Sequence, residues 1–240
     1  MDIVQIQGHI KEYEWGNNSF IPALLSQAED GKSKAELWFG THPSGDAKVV
    51  ESDEPLSAFL AKDSLHWFGQ EHVDCFGEQL PLLLKVLAID RPLSIQVHPT
   101  KAQAEEGWAK EELFRAHHSK ELWNYKDPNR KAEVIYALTP ITAMCGFRPL
   151  KQIIPTLKLL IPNGYEKHFL YLDKEVEDPD TLLAKLFEDI YTMPPEELET
   201  LISEYIASLK QHEELPFATG DGAFLESKGI VLSCYGAYPK

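Results

Sequence analysis

Residues 93–98, Leu-Ser-Ile-Gln-Val-His, alternate strictly between apolar and polar side chains. On a β-strand that period sends Leu93, Ile95 and Val97 to one face, and Ser94, Gln96 and His98 to the other. The polar row carries a hydroxyl, an amide oxygen and an imidazole. Imidazole is the commonest nitrogen ligand for metals, and two residues two apart on a strand can share one ion. The same spacing also describes a hydrogen-bonded polar face, and spacing alone leaves both readings open. Glu133, near the start of the apolar run 132–138, adds a carboxylate, and Lys131 adds an ammonium on the same face. Such a pair is costly to bury unless it is paired or metal-bound. At a strand end it also reads as a solvated surface pair.

Other chemistry-bearing positions are less specific. Lys85 interrupts the apolar run 82–87, so it either snorkels to solvent or points into a polar cleft. His117-His118 lies in a loop, where solvated histidines are common. Glycine-rich phosphate loops and a Ser-His-Asp signature are absent from the sequence.

The elements that must position these residues follow from the pattern. Residues 82–87 and 93–98 predict two strands joined by a turn at Asp90-Arg91-Pro92, with Pro99 ending the second. Short strands are expected in residues 2–7, 34–40 and 47–52, and a short helix from Pro55 to about Lys62. Thr100 suits the N-cap of a helix reaching about Ala116. A loop over 117–130, a strand over 132–138 and a short strand ending at Met144 complete the first 148 residues. From Pro149 the period becomes helical, with Pro179 and Pro194-Pro195 marking starts. Residues 149–213 are therefore expected to be a helical domain, and 229–235 one further strand.

The net charge of −15 in 240 residues argues against nucleic acid or anionic membrane as a partner. It does not argue against a small anion, which responds to the local field of a cleft. The N-terminus lacks a basic-then-apolar leader pattern, and no apolar run reaches about 18 residues. Three scattered cysteines, Cys75, Cys145 and Cys234, outside any Cys-x-x-Cys pair, suggest reduced thiols in the cytoplasm.

Taken together, KEYEWGN (11–17), KAELWFGTHPSG (34–45), LPLLLKVLAIDRPLSIQVHPTKAQAE (80–105), NYKDPNRKAEVIYALTP (124–140) and CGFRP (145–149) resemble type I mannose-6-phosphate isomerases. The resemblance implies a zinc-dependent cupin enzyme that interconverts mannose 6-phosphate and fructose 6-phosphate. It implies Gln96, His98 and Glu133 as metal ligands and Ser94 as a phosphate contact. It implies Lys85 and Lys131 in substrate handling or acid–base work. The fold implied is mainly β with a helical domain: a cupin-like jelly-roll β domain over 1–148, an all-α insertion over 149–213, and a stub over 214–240.

The chain departs from the family pattern in two places. Arg130-Lys131-Ala132-Glu133 stands where the family has His-Lys-Pro-Glu. After Gly220-Asp221-Gly222 the likeness ends before a second cupin domain that supplies another histidine ligand and an arginine. From this the chain is expected to be a truncated product with one zinc ligand missing, poorly active and prone to associate through uncovered apolar surface. A noncatalytic metal- or sugar-phosphate-binding remnant is the first rival reading. A different metal-dependent cupin, such as an iron oxygenase with two histidines and a carboxylate, is the second. Gln96 stands where that enzyme would place a histidine.

Overall fold

The structure is a computed structural model that describes residues 3–117, 119, 122–173, 178–211, 231, 232 and 234. The chain divides into two compact units, Met1–Leu93 with Ile206–Lys240, and Ser94–Tyr205.

The first unit is built on two small antiparallel sheets. β1 (Ile6–Gln7) pairs with β4 (Lys48–Val49), and β2 (His9–Lys11), β3 (Glu36–Phe39) and β5 (Leu84–Leu87) form a three-stranded sheet in the order β2-β3-β5. The central strand β3 has a period of two. Leu37 faces a core with Ile21 and Ala88, where α1 (Phe20–Leu24) packs. Glu36 and Trp38 take the opposite face. Both are buried, and the Trp38 indole N–H donates to the Glu36 carboxylate. The β1–β4 pair is covered by α2 (Leu56–Ala61), through Ala47, Val49 and Leu56. Two further short helices, α3 (Ser64–Phe68) and α4 (Gln70–Phe76), follow. Gly16 allows its backbone to lie against Ala35, since a Cβ there would sit 2.4 Å from the Ala35 Cα.

The hairpin expected at Asp90-Arg91-Pro92 does not form. β5 gives its ladder to β3, and the turn amides of Asp90 and Arg91 donate to the Trp15 carbonyl instead. Residues 93–98 and 132–138 join no sheet among the described residues. Their apolar side chains are open: Ile95 is 83% and Val134 96% exposed. Alternation fixes which way side chains point, but a strand also needs a neighbouring backbone, and none of the described residues supplies one. The mainly β character expected of the first 148 residues is thus limited to these small sheets, interspersed with α1 to α4 and α5 (Lys101–Glu112).

The second unit starts at Ser94 and is mostly helical. Thr100 caps α5 with a capping box: its hydroxyl accepts from the Gln103 amide, while the Gln103 side chain accepts from the Thr100 amide at 2.9 Å. A 3₁₀ turn, Arg115–His117, follows the helix. α6 (Leu150–Leu160), a 3₁₀ run over Glu166–Asp173, α7 (Pro179–Tyr191) and α8 (Pro195–Gln211) occupy the stretch whose sequence has helical period. Phe169, Leu172, Leu186, Met193 and Leu201 form their shared core. Asp178 caps α7, accepting from the Asp180 and Thr181 amides, with Pro179 in the first turn. Of the strand expected over 229–235, only Val231, Leu232 and Cys234 are described, and these are helical; residues 214–230 lie outside the described residues.

Two outcomes follow from this packing. Lys34 is buried, and its ammonium donates to the carboxylates of Glu12 and Asp30. The hydrogen bond from Lys34 holds Glu12 below its ordinary value of 4.5 and Asp30 below 3.8. Lowered folded-state values mean stability that is present above those ordinary values and lost as pH falls through the folded ones. Thermal unfolding followed from neutral pH down past the carboxylate range should show a flatter acid limb in Lys34→Met than in the natural chain. Thr100→Ala should lower the unfolding free energy by about 1 kcal/mol in a urea titration, the usual cost of losing a helix cap.

Candidate functional site

Gln96, His98 and Glu133 come from segments with no ladder, yet their side chains meet. His98 Nε2 lies 3.2 Å from Gln96 Oε1, a hydrogen bond when Nε2 carries the proton, and 3.8 Å from Glu133 Oε2. Imidazole and amide converge because residues two apart on an extended segment share a side. Pro99 restricts His98 to such backbone, and the α5 cap begins at the next residue. Among the described residues no three His, Cys, Asp or Glu side chains are grouped closely enough to hold a metal. The Gln96 amide is what makes this set a trio.

Beside it is a cavity of about 230 Å³ in the second unit. Gln96 and His98 form one wall; Tyr125, Lys126, Asp127 and Lys131 form the other. Asp127 shapes that wall by accepting the Asn129 amide at 2.8 Å, and Lys101 of α5 reaches across to the Pro128 carbonyl at 3.0 Å. Lys131, expected from the sequence, therefore shares the cavity with Gln96 and His98, while Ser94 is an exposed residue outside its lining. Lys126 and Asp127 carry charge on the wall and were not singled out by sequence reasoning. The available signal was the Asp127-Pro128-Asn129 turn, which carries cations on either side of it at Lys126 and Arg130.

Lys85 belongs to the first unit, on β5 opposite Trp38. Its ammonium lies 3.7 Å from the Glu36 carboxylate and 4.6 Å from the centre of the Trp38 ring, so it is turned toward a charged partner. Lys11 stands over the same indole at 4.9 Å. Glu36 is a buried carboxylate that the sequence signals by placing a charge inside the run Ala35–Phe39. His117 is exposed in the 3₁₀ turn, and His118 lies outside the described residues.

A second cavity, among the helices, is lined by His168, Tyr171, Lys185, Asp189 and Glu197. His168 pairs with Glu197 at 3.0 Å. Burial, aided by Asp189, pushes the Tyr171 phenol up, so it stays protonated at neutral pH. This arrangement ties helices together and has no cluster of metal ligands.

Comparison with known proteins gives these observations a setting. The human mannose-6-phosphate isomerase is 39% identical over 163 residues, covering 62% of this chain and 36% of that protein. The mannose-6-phosphate isomerase of Salmonella typhimurium is 32% identical over 215 residues, covering 88% of this chain and 54% of that one. Among solved structures, a point mutant of phosphomannose isomerase from Salmonella typhimurium superposes with a TM-score of 0.80 at 30% identity. A mannose 6-phosphate isomerase bound with zinc and yttrium superposes with 0.77, also at 30%. Each covers 98% of this chain and 56% of its own length is matched. The chain thus spans between about a third and just over half of the relatives it matches. Residues 3–150 match the profile of the phosphomannose isomerase type I catalytic domain, and the chain belongs to that family.

Proposed function

We propose that this chain carries the metal- and phosphate-binding cleft of a zinc-dependent aldose–ketose isomerase acting between mannose 6-phosphate and fructose 6-phosphate. The observation that supports it is the meeting of Gln96, His98 and Glu133 beside a cavity lined by two lysines. Zinc bonds of about 2.0–2.2 Å separate two donors of a tetrahedral site by roughly 3.4 Å. The 3.2 and 3.8 Å spacings fall on either side of that value. An amide oxygen, an imidazole nitrogen and a carboxylate oxygen are donors that zinc accepts, and three protein ligands leave a position for water or substrate. Zinc held there would supply a Lewis acid that favours negative charge on a substrate oxygen.

The remaining chemistry falls to the chain's own groups. Isomerisation opens the sugar ring and moves a proton between C2 and C1 through a cis-enediol. Lys131 brings an ammonium to the cavity, where it favours charge building on the enediol oxygens and can hold or release a proton. Lys126 adds a second cation for the phosphate dianion. Ser94, two residues before Gln96 but outside the cavity lining, is a phosphate contact only by the family resemblance. Lys85, on β5 of the first unit with its ammonium 3.7 Å from the Glu36 carboxylate, is the other candidate for substrate handling or acid–base work.

The same reading makes residues 1–148 a cupin-like β domain and 149–213 a helical insertion. It places the protein in the cytoplasm, in keeping with three free cysteines. No described helix is long and apolar enough to cross a membrane.

The test is a coupled assay of mannose 6-phosphate conversion with zinc supplied, together with zinc titration. His98→Ala should weaken zinc binding by more than about 100-fold, since even groups that only support metal ligands cost 10–100-fold. Turnover should disappear with it. Folded protein that binds zinc equally well with and without the His98 imidazole would sink the metal assignment. Zinc binding without turnover would leave the metal site standing and remove the isomerase activity from this chain.

A further inference from the structure

The wall Asn124–Lys131 is held from behind by two residues that do not line the cavity. Glu111, in the last turn of α5, accepts through Oε1 from the Asn124 amide at 3.1 Å and from the Asn124 side chain at 3.0 Å. Its Oε2 accepts from the Tyr125 amide at 3.1 Å. Arg115, in the turn that follows, donates from Nη2 to the Tyr125 carbonyl at 2.8 Å. Both backbone groups of Tyr125 are therefore bonded to charged side chains, the stronger class of hydrogen bond.

Arg115 is fixed in turn. Its guanidinium carbon lies 3.3 Å from the centre of the Trp108 ring and 4.5 Å from that of Trp123, and Glu112 pairs with it at 3.1 Å. Its Nε finds no hydrogen-bond acceptor among the described residues, and the two indoles together with Glu112 and the Tyr125 carbonyl hold its plane. The Tyr125 ring occupies the space over Gly107, where a Cβ would come within 2.3 Å of it. Burial raises the Glu111 carboxyl, but the bonds from Tyr125 and Asn124 and the charge of Arg115 outweigh it and leave Glu111 ionised.

We propose that Glu111 and Arg115 are positioning residues that fix the 124–131 wall and thereby set the cleft's hold on the anionic end of its substrate. The second clause rests on the function proposed above; the first stands on contacts alone. Tyr125 is followed directly by Lys126, and Lys131 lies five residues further along the same wall. Loosening Asn124 and Tyr125 frees the end of the wall that carries Lys126, while Lys101 still holds Pro128 and Asn129 before Lys131, and Gln96 and His98 stay in place.

Two measurements test this on the full chain: amide hydrogen exchange, and calorimetric binding of mannose 6-phosphate with zinc present. Glu111→Gln keeps the shape of the side chain and gives up one acceptor oxygen. Exchange of the Asn124 and Tyr125 amides should speed up by about tenfold or more, the scale of one lost charge-assisted bond. Affinity for mannose 6-phosphate should fall by a similar factor, with zinc affinity nearly unchanged. Arg115→Lys, which keeps the charge and loses the planar fork, should act in the same direction and stands in if Glu111→Gln does not fold. Glu106→Gln, on an exposed i,i+4 pair with Lys110, should change none of these.

Unchanged exchange at the Asn124 and Tyr125 amides would overturn the clamp. Faster exchange with unchanged sugar-phosphate affinity would overturn its link to the substrate. A natural chain that binds zinc but no mannose 6-phosphate would instead overturn the functional reading, and faster exchange would then still uphold the clamp.

Discussion

Both walls of the cleft depend on the anchoring of a single helix. The N-cap of α5, Thr100, lies two residues after His98, and the Thr100–Gln103 capping box locks the helix at that end. Its last turn and the 3₁₀ turn beyond it carry Glu111 and Arg115, which hold Asn124 and Tyr125. The site is therefore a helix with one functional segment entering it and another pinned along its far end. Neither segment has a sheet to stiffen it among the described residues. The rigidity a β-ladder would give is replaced by a cap, a few charge-assisted hydrogen bonds and a stacked guanidinium.

Electrostatics in this chain are local. A net charge of −15 would repel a sugar phosphate at long range, yet screening confines that effect to about a Debye length of ~8–10 Å. Within the cavity an anion would meet Lys126 and Lys131 against the single carboxylate of Asp127, whereas much of the acidic excess faces water or is paired along helices, as in Glu106–Lys110 and Lys185–Asp189. Lys101 is occupied by the Pro128 carbonyl and Glu105, so it shapes the wall. In the first unit, Glu36 and Lys85 show the same economy: a buried carboxylate is offset by an indole N–H and a nearby ammonium.

The legible parts of the sequence were those governed by local rules. Thr100 and Pro179 announced helix starts, and the structure has a capping box at Thr100 and a helix beginning at Pro179. The alternation over 93–98 put Gln96 and His98 on one side, which is a property of extended backbone and needs no partner strand. It said nothing reliable about burial. Ile95 and Val97 alternate as a core face should, but no element covers them among the described residues. Val134 and Tyr136 repeat the lesson, being exposed within a run rich in strand formers. The wall at 124–129 was illegible for a different reason. It is set by contacts 13 and 14 residues distant, between loop amides and Glu111, and composition does not encode such pairings. The family likeness located that segment only by marking NYKDPN as characteristic.

These features also bear on what metal binding would do. Gln96 and His98 lie on one unladdered segment, and Glu133 on another. A cation shared by all three would tie the two segments together in the folded state and find no such arrangement in the unfolded chain. Its binding free energy would then add directly to stability, growing with free metal as RT ln(1 + [L]/Kd). An ion on a pre-stiffened sheet also adds its binding energy, but changes local order little. Here the larger response would be at the segments themselves, because neither joins a sheet among the described residues. The cleft thus couples two kinds of restraint: α5 fixes where each segment enters, and the shared ion would fix how they face each other.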